Sequence, residues 1–226
     1  MYFIEKNLNR LEHNQSTFFL DPKQLMELKG KLKKGEYQIY APYKDSEKVI
    51  VYKKEVPEVL LYEVKTSIPV RHQDVLGTMY SLNIAPELFG DIVLIDQHVY
   101  LYILPIVRNY FESNFLMVRN SSVEIENLPL EVLENYERSY EEIELLVSSN
   151  RMDTVISTLI HTKRSMIDHM IQKREILLNY DYLKDPSYKL KEKDTFSVKR
   201  VGKFRYEGIV KTTKSDHLII QLLKYL

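Results

Sequence analysis

Apolar residues recur along this chain with two different periods, and the places where the period changes divide it into segments. Met152, Val155, Ile156, Leu159 and Ile160 fall at i, i+3, i+4, i+7 and i+8, one stripe of an amphipathic helix, and Ser148-Ser149 stand just before them as N-cap types. After a break at His161-Thr162 the spacing predicts a second helix, Lys163 to Lys173, burying Met166, Ile167, Met170 and Ile171. The period then shortens. Ile176 to Asn179 and Thr195 to Val198 read as strands around a turn-rich excursion, Tyr180 to Pro186.

Upstream, the order is strand Val59 to Lys65, helix from about Gln73 to Leu82, and strands Gly90 to Asp96 and Val99 to Leu104 around a turn at Asp96-Gln97. A helix opened by Pro105 and a strand Ser122 to Leu128 complete a βαββαβ order, the split βαβ arrangement of ferredoxin-like and RRM-like domains. Nearer the start, Asp21-Pro22 supplies an N-cap followed by a first-turn proline, opening a helix to about Leu32. Strands Tyr37 to Tyr40 and Lys48 to Tyr52 follow, around a loop with Pro42, Asp45 and Ser46. Glu131 to Leu146 carries Glu131, Glu134, Glu137, Glu141, Glu142 and Glu144 and reads as a solvated helical connector. The expected class is α+β: a small N-terminal α/β module at 1–57, an RRM-like module at 58–130, an acidic helical connector at 131–147 and a small domain at 148–226.

The formal net charge is zero, but the charge is split: residues 151–226 hold 16 Lys/Arg against 9 Asp/Glu, and residues 1–150 hold 16 against 23. A basic tail beside an acidic body suits a chain whose one end meets a polyanion. With no Cys, disulfides, thiolate zinc sites and a cysteine nucleophile are excluded. The most apolar stretch, Gly90 to Val107, is broken by Asp91, Asp96, Gln97 and His98, and no export-type N-terminus is seen, so the expectation is a cytoplasmic chain without a membrane span.

Candidate chemistry follows the tail charge. Lys163 and Arg164 at the inter-helix turn and Arg151 at the first helix start place cations along one edge, Lys173 and Arg174 close the second helix, and Lys199, Arg200, Lys203 and Arg205 surround Gly202 in a basic β-loop. Such groups make phosphate contacts, which give affinity and salt dependence. Tyr100 and Tyr102 share a strand face with Tyr62 as a possible neighbour, an arrangement that either stacks bases or packs under another element. His72 and Asp74 admit a base-and-orienter reading, but no motif places a nucleophile with them, and capping of the following helix is favoured. His13, His161, His169 and His217 are scattered, and no phosphate-loop or dinucleotide motif occurs, so no catalytic residue, metal or cofactor is expected.

Arg151-Met152-Asp153, Lys163-Arg164-Ser165, Met170-Ile171, Ile176-Leu177-Leu178-Asn179, Pro186-Ser187, Asp194 and Ser197 through Phe204 together resemble the S4 RNA-binding domain, so 148–226 is expected to be of that αL type. Arg174 and Lys193 stand where that family usually has Gly, so those turns must be built differently here, a left-handed backbone being open to Arg or Lys at modest cost. Arg71 through Gly77, Leu82-Asn83-Ile84 and Phe89 through Val93 resemble the YlmH family of bacterial S4 proteins, although the N-terminal segment lacks that family's Gly-Gly and Ala-Glu-Arg stretch. The resemblance implies two α/β modules followed by S4, and a non-catalytic monomer that holds large-subunit rRNA and tRNA on the ribosome during stalled translation or quality control. The family's gene neighbourhood suggests a rival, an adaptor for cell-division proteins; an RNA-modifying enzyme is a third.

Overall fold

Asp21 caps a helix as its sequence context predicts: its carboxylate accepts the Gln24 N–H at 2.8 Å, and the Gln24 side chain accepts the Asp21 N–H at 3.0 Å. That helix is α2 (Pro22–Lys29), preceded by α1 (Tyr2–Glu12) and followed by a short hairpin, β1 (Gln38–Tyr40) with β2 (Ile50–Tyr52). These elements belong to the first of two compact units, Met1–Glu137 and Arg138–Leu226, in a computed structural model that describes residues 2–96 and 98–226.

The rest of the first unit runs β3 (Leu60–Thr66), α3 (His72–Ser81), β4 (Phe89–Ile95), β5 (His98–Ile103), α4 (Arg108–Asn114), β6 (Met117–Val118) and β7 (Ser121–Leu128). The strands form one antiparallel sheet in the order β4-β5-β3-β7-β6. Asp96 enters the β4–β5 turn with φ 55°, while Gln97, expected as its second residue, lies outside the described residues.

Both faces of this sheet are used for packing. Tyr62, Val64, Leu101 and Ile103 pack with Val75, Met79, Phe111 and Phe115 of α3, α4 and the residue after α4. On the other face Leu61, Val93 and Tyr102 are covered by Phe18, Phe19, Tyr43 and Ile50 from the N-terminal segment. Gly90 makes that approach possible, since a Cβ there would meet the Phe19 ring and Tyr102 Cβ at 2.9 Å. A polar clamp seals the edge: Asp91 accepts from the Tyr43 hydroxyl at 2.7 Å and the Glu47 N–H at 2.8 Å, and Lys48 Nζ donates to the Pro86 and Phe89 carbonyls at 2.7 and 2.8 Å. Desolvation brings the Lys48 amine down to about 8 despite the opposing pull of Asp91.

The acidic helical connector expected over 131–147 is not a helix. A 3-10 turn at Leu130–Leu133 is followed by strand β8 (Tyr140–Val147), whose eight residues all pair with the strand β13 (Leu218–Tyr225). The reason is a period of two that the glutamates obscure: Ile143, Leu145 and Val147 pack on the core while Glu142 and Glu144 stay exposed, and Lys224 Nζ meets Glu141 at 2.7 Å.

Between those strands the second unit runs α5 (Met152–Leu159), α6 (Arg164–Gln172), β9 (Ile176–Leu178), β10 (Asp181–Tyr182), β11 (Thr195–Val198) and β12 (Gly202–Thr212), in sheet order β10-β9-β11-β12-β13-β8. Met152, Val155, Ile156 and Ile167 pack on Phe196, Phe204, Ile220 and Leu222. Met166, expected on the buried face of its helix, is instead 49% exposed. Among the described residues no helix is long and apolar enough to cross a membrane.

Candidate nucleic-acid interface

The nine tail cations fall into three groups. The first lies at the starts of α5 and α6. Arg151 is the N-cap residue of α5 and pairs with Asp153 at 2.7 Å, Lys163 is the N-cap residue of α6, and Arg164 opens that helix with Nη2 donating to Thr154 Oγ1 at 2.8 Å. Burial pushes the Asp153 carboxyl up, but the Arg151 guanidinium and the Thr154 N–H outweigh it and leave Asp153 below the usual carboxylate range. Arg151 therefore sits against a carboxylate that stays charged, while Lys163 and Arg164 are exposed beside it.

The second group lies at the other end of α6, about 13 Å away at the rise of a nine-residue helix. Lys173 and Arg174 follow the helix, and the β11–β12 turn brings Lys199 and Arg200 next to them, with the Lys199 N–H donating to the Glu175 carbonyl at 2.9 Å and Lys199 Nζ 3.5 Å from the Glu175 carboxylate. All four cations are exposed. Arg174 has φ 56° and Lys193 φ 70°, so the turns keep the left-handed backbone that a glycine favours and are not built differently, and Arg200 has φ 67°. The Arg174 guanidinium lies over the Tyr182 ring, 5.4 Å from its centroid.

Lys203 and Arg205 do not join the helical edge. They alternate along β12 with buried Phe204 and Tyr206, so their side chains leave on the sheet face opposite the helices. Lys203 Nζ donates to the Tyr180 hydroxyl at 2.9 Å and lies 4.6 and 4.7 Å from the Tyr180 and Tyr225 ring centroids; Arg205 lies 5.0 Å from that of Tyr140 and binds Glu207 at 2.5 Å.

The tyrosines considered for base stacking are also separated. Tyr62 points to the α3/α4 side of its sheet and donates to Glu112 at 2.5 Å, because it pairs across the strand with Leu101 and not with Tyr102. Tyr102 is fully buried and stacked on Tyr43 at 5.9 Å. Tyr100 alone of the three retains a partly open ring on the other face, beside His98. His98 in turn holds Glu63 at 2.5 Å.

Asp74 has a capping role, with His72 the first residue of the helix it closes. Asp74 accepts the Arg71 N–H at 3.0 Å, closing the start of α3, and the Arg71 side chain and backbone hold its carboxyl below the usual range. Among the described residues no group of three or more His, Asp or Glu could hold a metal. Two neighbours of these cations escaped the sequence reading. Lys189, exposed, is bridged by its backbone to Arg151, and Tyr182 receives Arg174; the Lys-x-Lys-x-Lys alternation at 189–193 was the available signal for the first.

Residues 58–132 match the family described as "Putative RNA-binding domain in YlmH". The chain is 24% identical over 149 residues to the "Ribosome-associated protein quality control protein P2" of Bacillus subtilis strain 168, an alignment taking in 66% of this chain and 58% of that protein's length. Among solved structures, the cell division protein ylmH from Streptococcus pneumoniae superimposes with a TM-score of 0.49 at 19% identity, over 59% of this chain and 93% of that one. What these matches show is similarity: over residues 58–132 the chain is similar to the segment of YlmH that the family describes.

Proposed function

We propose that this chain is a ribosome-associated, non-catalytic RNA-binding protein that works by occupancy, holding large-subunit rRNA, tRNA or both in translation quality control. The observation that carries this reading is the pair of cation groups at the two ends of α6, one of them presented on strained left-handed backbone. Charged groups fixed to short rigid elements contact phosphates without a large ordering cost. The name of the B. subtilis relative and the description of the matched family support the same reading. In it, 148–226 acts as an S4 domain and 58–130 as an RRM-like plait; the strand order of the first unit, with β3 central between β5 and β7, supports the latter.

Sedimentation of the tagged full chain with purified large ribosomal subunits tests the proposal. Co-sedimentation at low salt that falls steeply as salt rises is expected. Absence from the ribosomal fractions at low salt, in extracts of growing and of stressed cells alike, overturns it, and retention of division proteins alone after nuclease treatment favours an adaptor.

A further inference from the structure

The segment that matches an RNA-binding family is the wrong sign for RNA. Residues 58–132 hold four Lys/Arg against ten Asp/Glu. Its sheet face is also largely closed, since Tyr102 is buried under the N-terminal segment and Tyr62 faces α4. Any phosphate contact must therefore be local, made where cations outnumber carboxylates. Lys65 is held between Glu126 at 2.6 Å and Glu63 at 3.7 Å, and Arg108 is paired with Glu112 at 3.0 Å. The other two cations share one partner: Arg71 and Arg119, from separate turns, converge on Asp74 at 3.2 and 3.8 Å.

We propose that Arg71 and Arg119 form an RNA phosphate-binding site on this segment, distinct from the cations of the second unit. The proposal rests on the reading of the chain as an RNA binder. Asp74 is nearly buried at 10% exposure while the guanidiniums are 73% and 53% exposed, so the carboxylate holds the pair from beneath and leaves a net positive charge outward. Each guanidinium has five N–H donors, and Arg71 spends only Nε and Nη2 on Asp74. Two forks held in place by a shared anchor suit bidentate recognition of a phosphate. The start of α3 itself is not open to an anion, because Asp74 already accepts the Arg71 N–H there. Arg119 holds its position with φ 54°.

The test uses the full chain, a fluorescent 20-nucleotide RNA hairpin and purified large ribosomal subunits, with affinity measured against salt. Arg71→Gln with Arg119→Asn, asparagine being tolerant of left-handed backbone, should weaken binding roughly tenfold at low salt and flatten the log–log salt slope by about 1. Lys65→Gln with Arg108→Gln removes the same charge from the same segment and should leave the slope unchanged. An unchanged slope in the folded arginine variant, or an equal loss in the control, overturns the site while the RNA-binding reading stands on wild-type binding. A wild-type chain that binds neither probe removes both. If the neutral pair melts early, Arg71→Lys with Arg119→Lys keeps the charge and loses the forks, and should cost roughly threefold in affinity; full affinity there overturns the site.

Discussion

The two units contain antiparallel sheets of similar size and use their second faces in opposite ways. In the first, helices cover one face and the N-terminal segment closes the other over Tyr102, so the aromatics are spent on packing. In the second, the helices α5 and α6 cover one face, and the far face carries Lys203 and Arg205 on tyrosine rings. Charge follows the same division, since 58–132 is acidic and 151–226 basic. A strand face rich in tyrosine is therefore not sufficient to locate an RNA surface; what matters is which backbone element holds cations outward and what already covers the rings.

The difference breaks most sharply at α6. Lys163→Glu with Arg164→Glu should lower affinity for large subunits at least about 100-fold while circular dichroism stays native, because both side chains are exposed and reversal adds repulsion. Loss of the Arg164 bond to Thr154 should show only as a small drop in melting temperature. Next in size is Gly90→Ala in the first unit. Its methyl must displace Phe19 or Tyr102, an overpacking that costs about 1–3 kcal/mol by urea titration, with RNA affinity unchanged.

Arg174→Gly should act in opposite directions on two readouts: relief of left-handed strain stabilises by about 1 kcal/mol, while loss of the cation weakens RNA binding roughly threefold. A variant that gains stability with undiminished affinity would remove Arg174 from the interface. The smallest effect sharpens the first unit's side of the comparison. The Tyr102 hydroxyl is buried with no hydrogen-bond partner among the described residues, and burial pushes its ionisation far above the usual range. Tyr102→Phe should therefore stabilise by up to about 1 kcal/mol in urea titration and leave RNA binding untouched, whereas a loss of stability would show that the hydroxyl is partnered.

Local chemistry made much of the molecule legible. The cap at Asp21, the stripe at Met152, Val155, Ile156 and Leu159, and the βαββαβ order of 59–128 each depend on near neighbours and were read with small boundary errors, apart from the two-residue strand β6, which was missed. What was missed is non-local. Glu131 to Glu144 fits a helical connector until β13 is known to pair with it, and residues 206–226 carried no predicted element although they supply that partner. Burial of Tyr102 depends on Phe19 and Tyr43, more than fifty residues away in sequence, which no periodicity reports. The placement of Lys203 and Arg205 is a different matter. Their alternation with Phe204 and Tyr206 was visible, and a period-2 reading of β12 assigns them to the face away from the helices.

The pairing of β8 with β13 sets a constraint in time. The sheet of the second unit begins with the strand at Tyr140 and is closed by the strand ending at Tyr225, its last in chain order, and Ile143 and Leu145 pack against the same core as Ile220 and Leu222. A nascent chain emerging from the exit tunnel can complete the first unit once residue 137 is free, but its basic domain must wait for the final strand. Until then α5 and α6 lack the Ile220 and Leu222 side chains on which they pack.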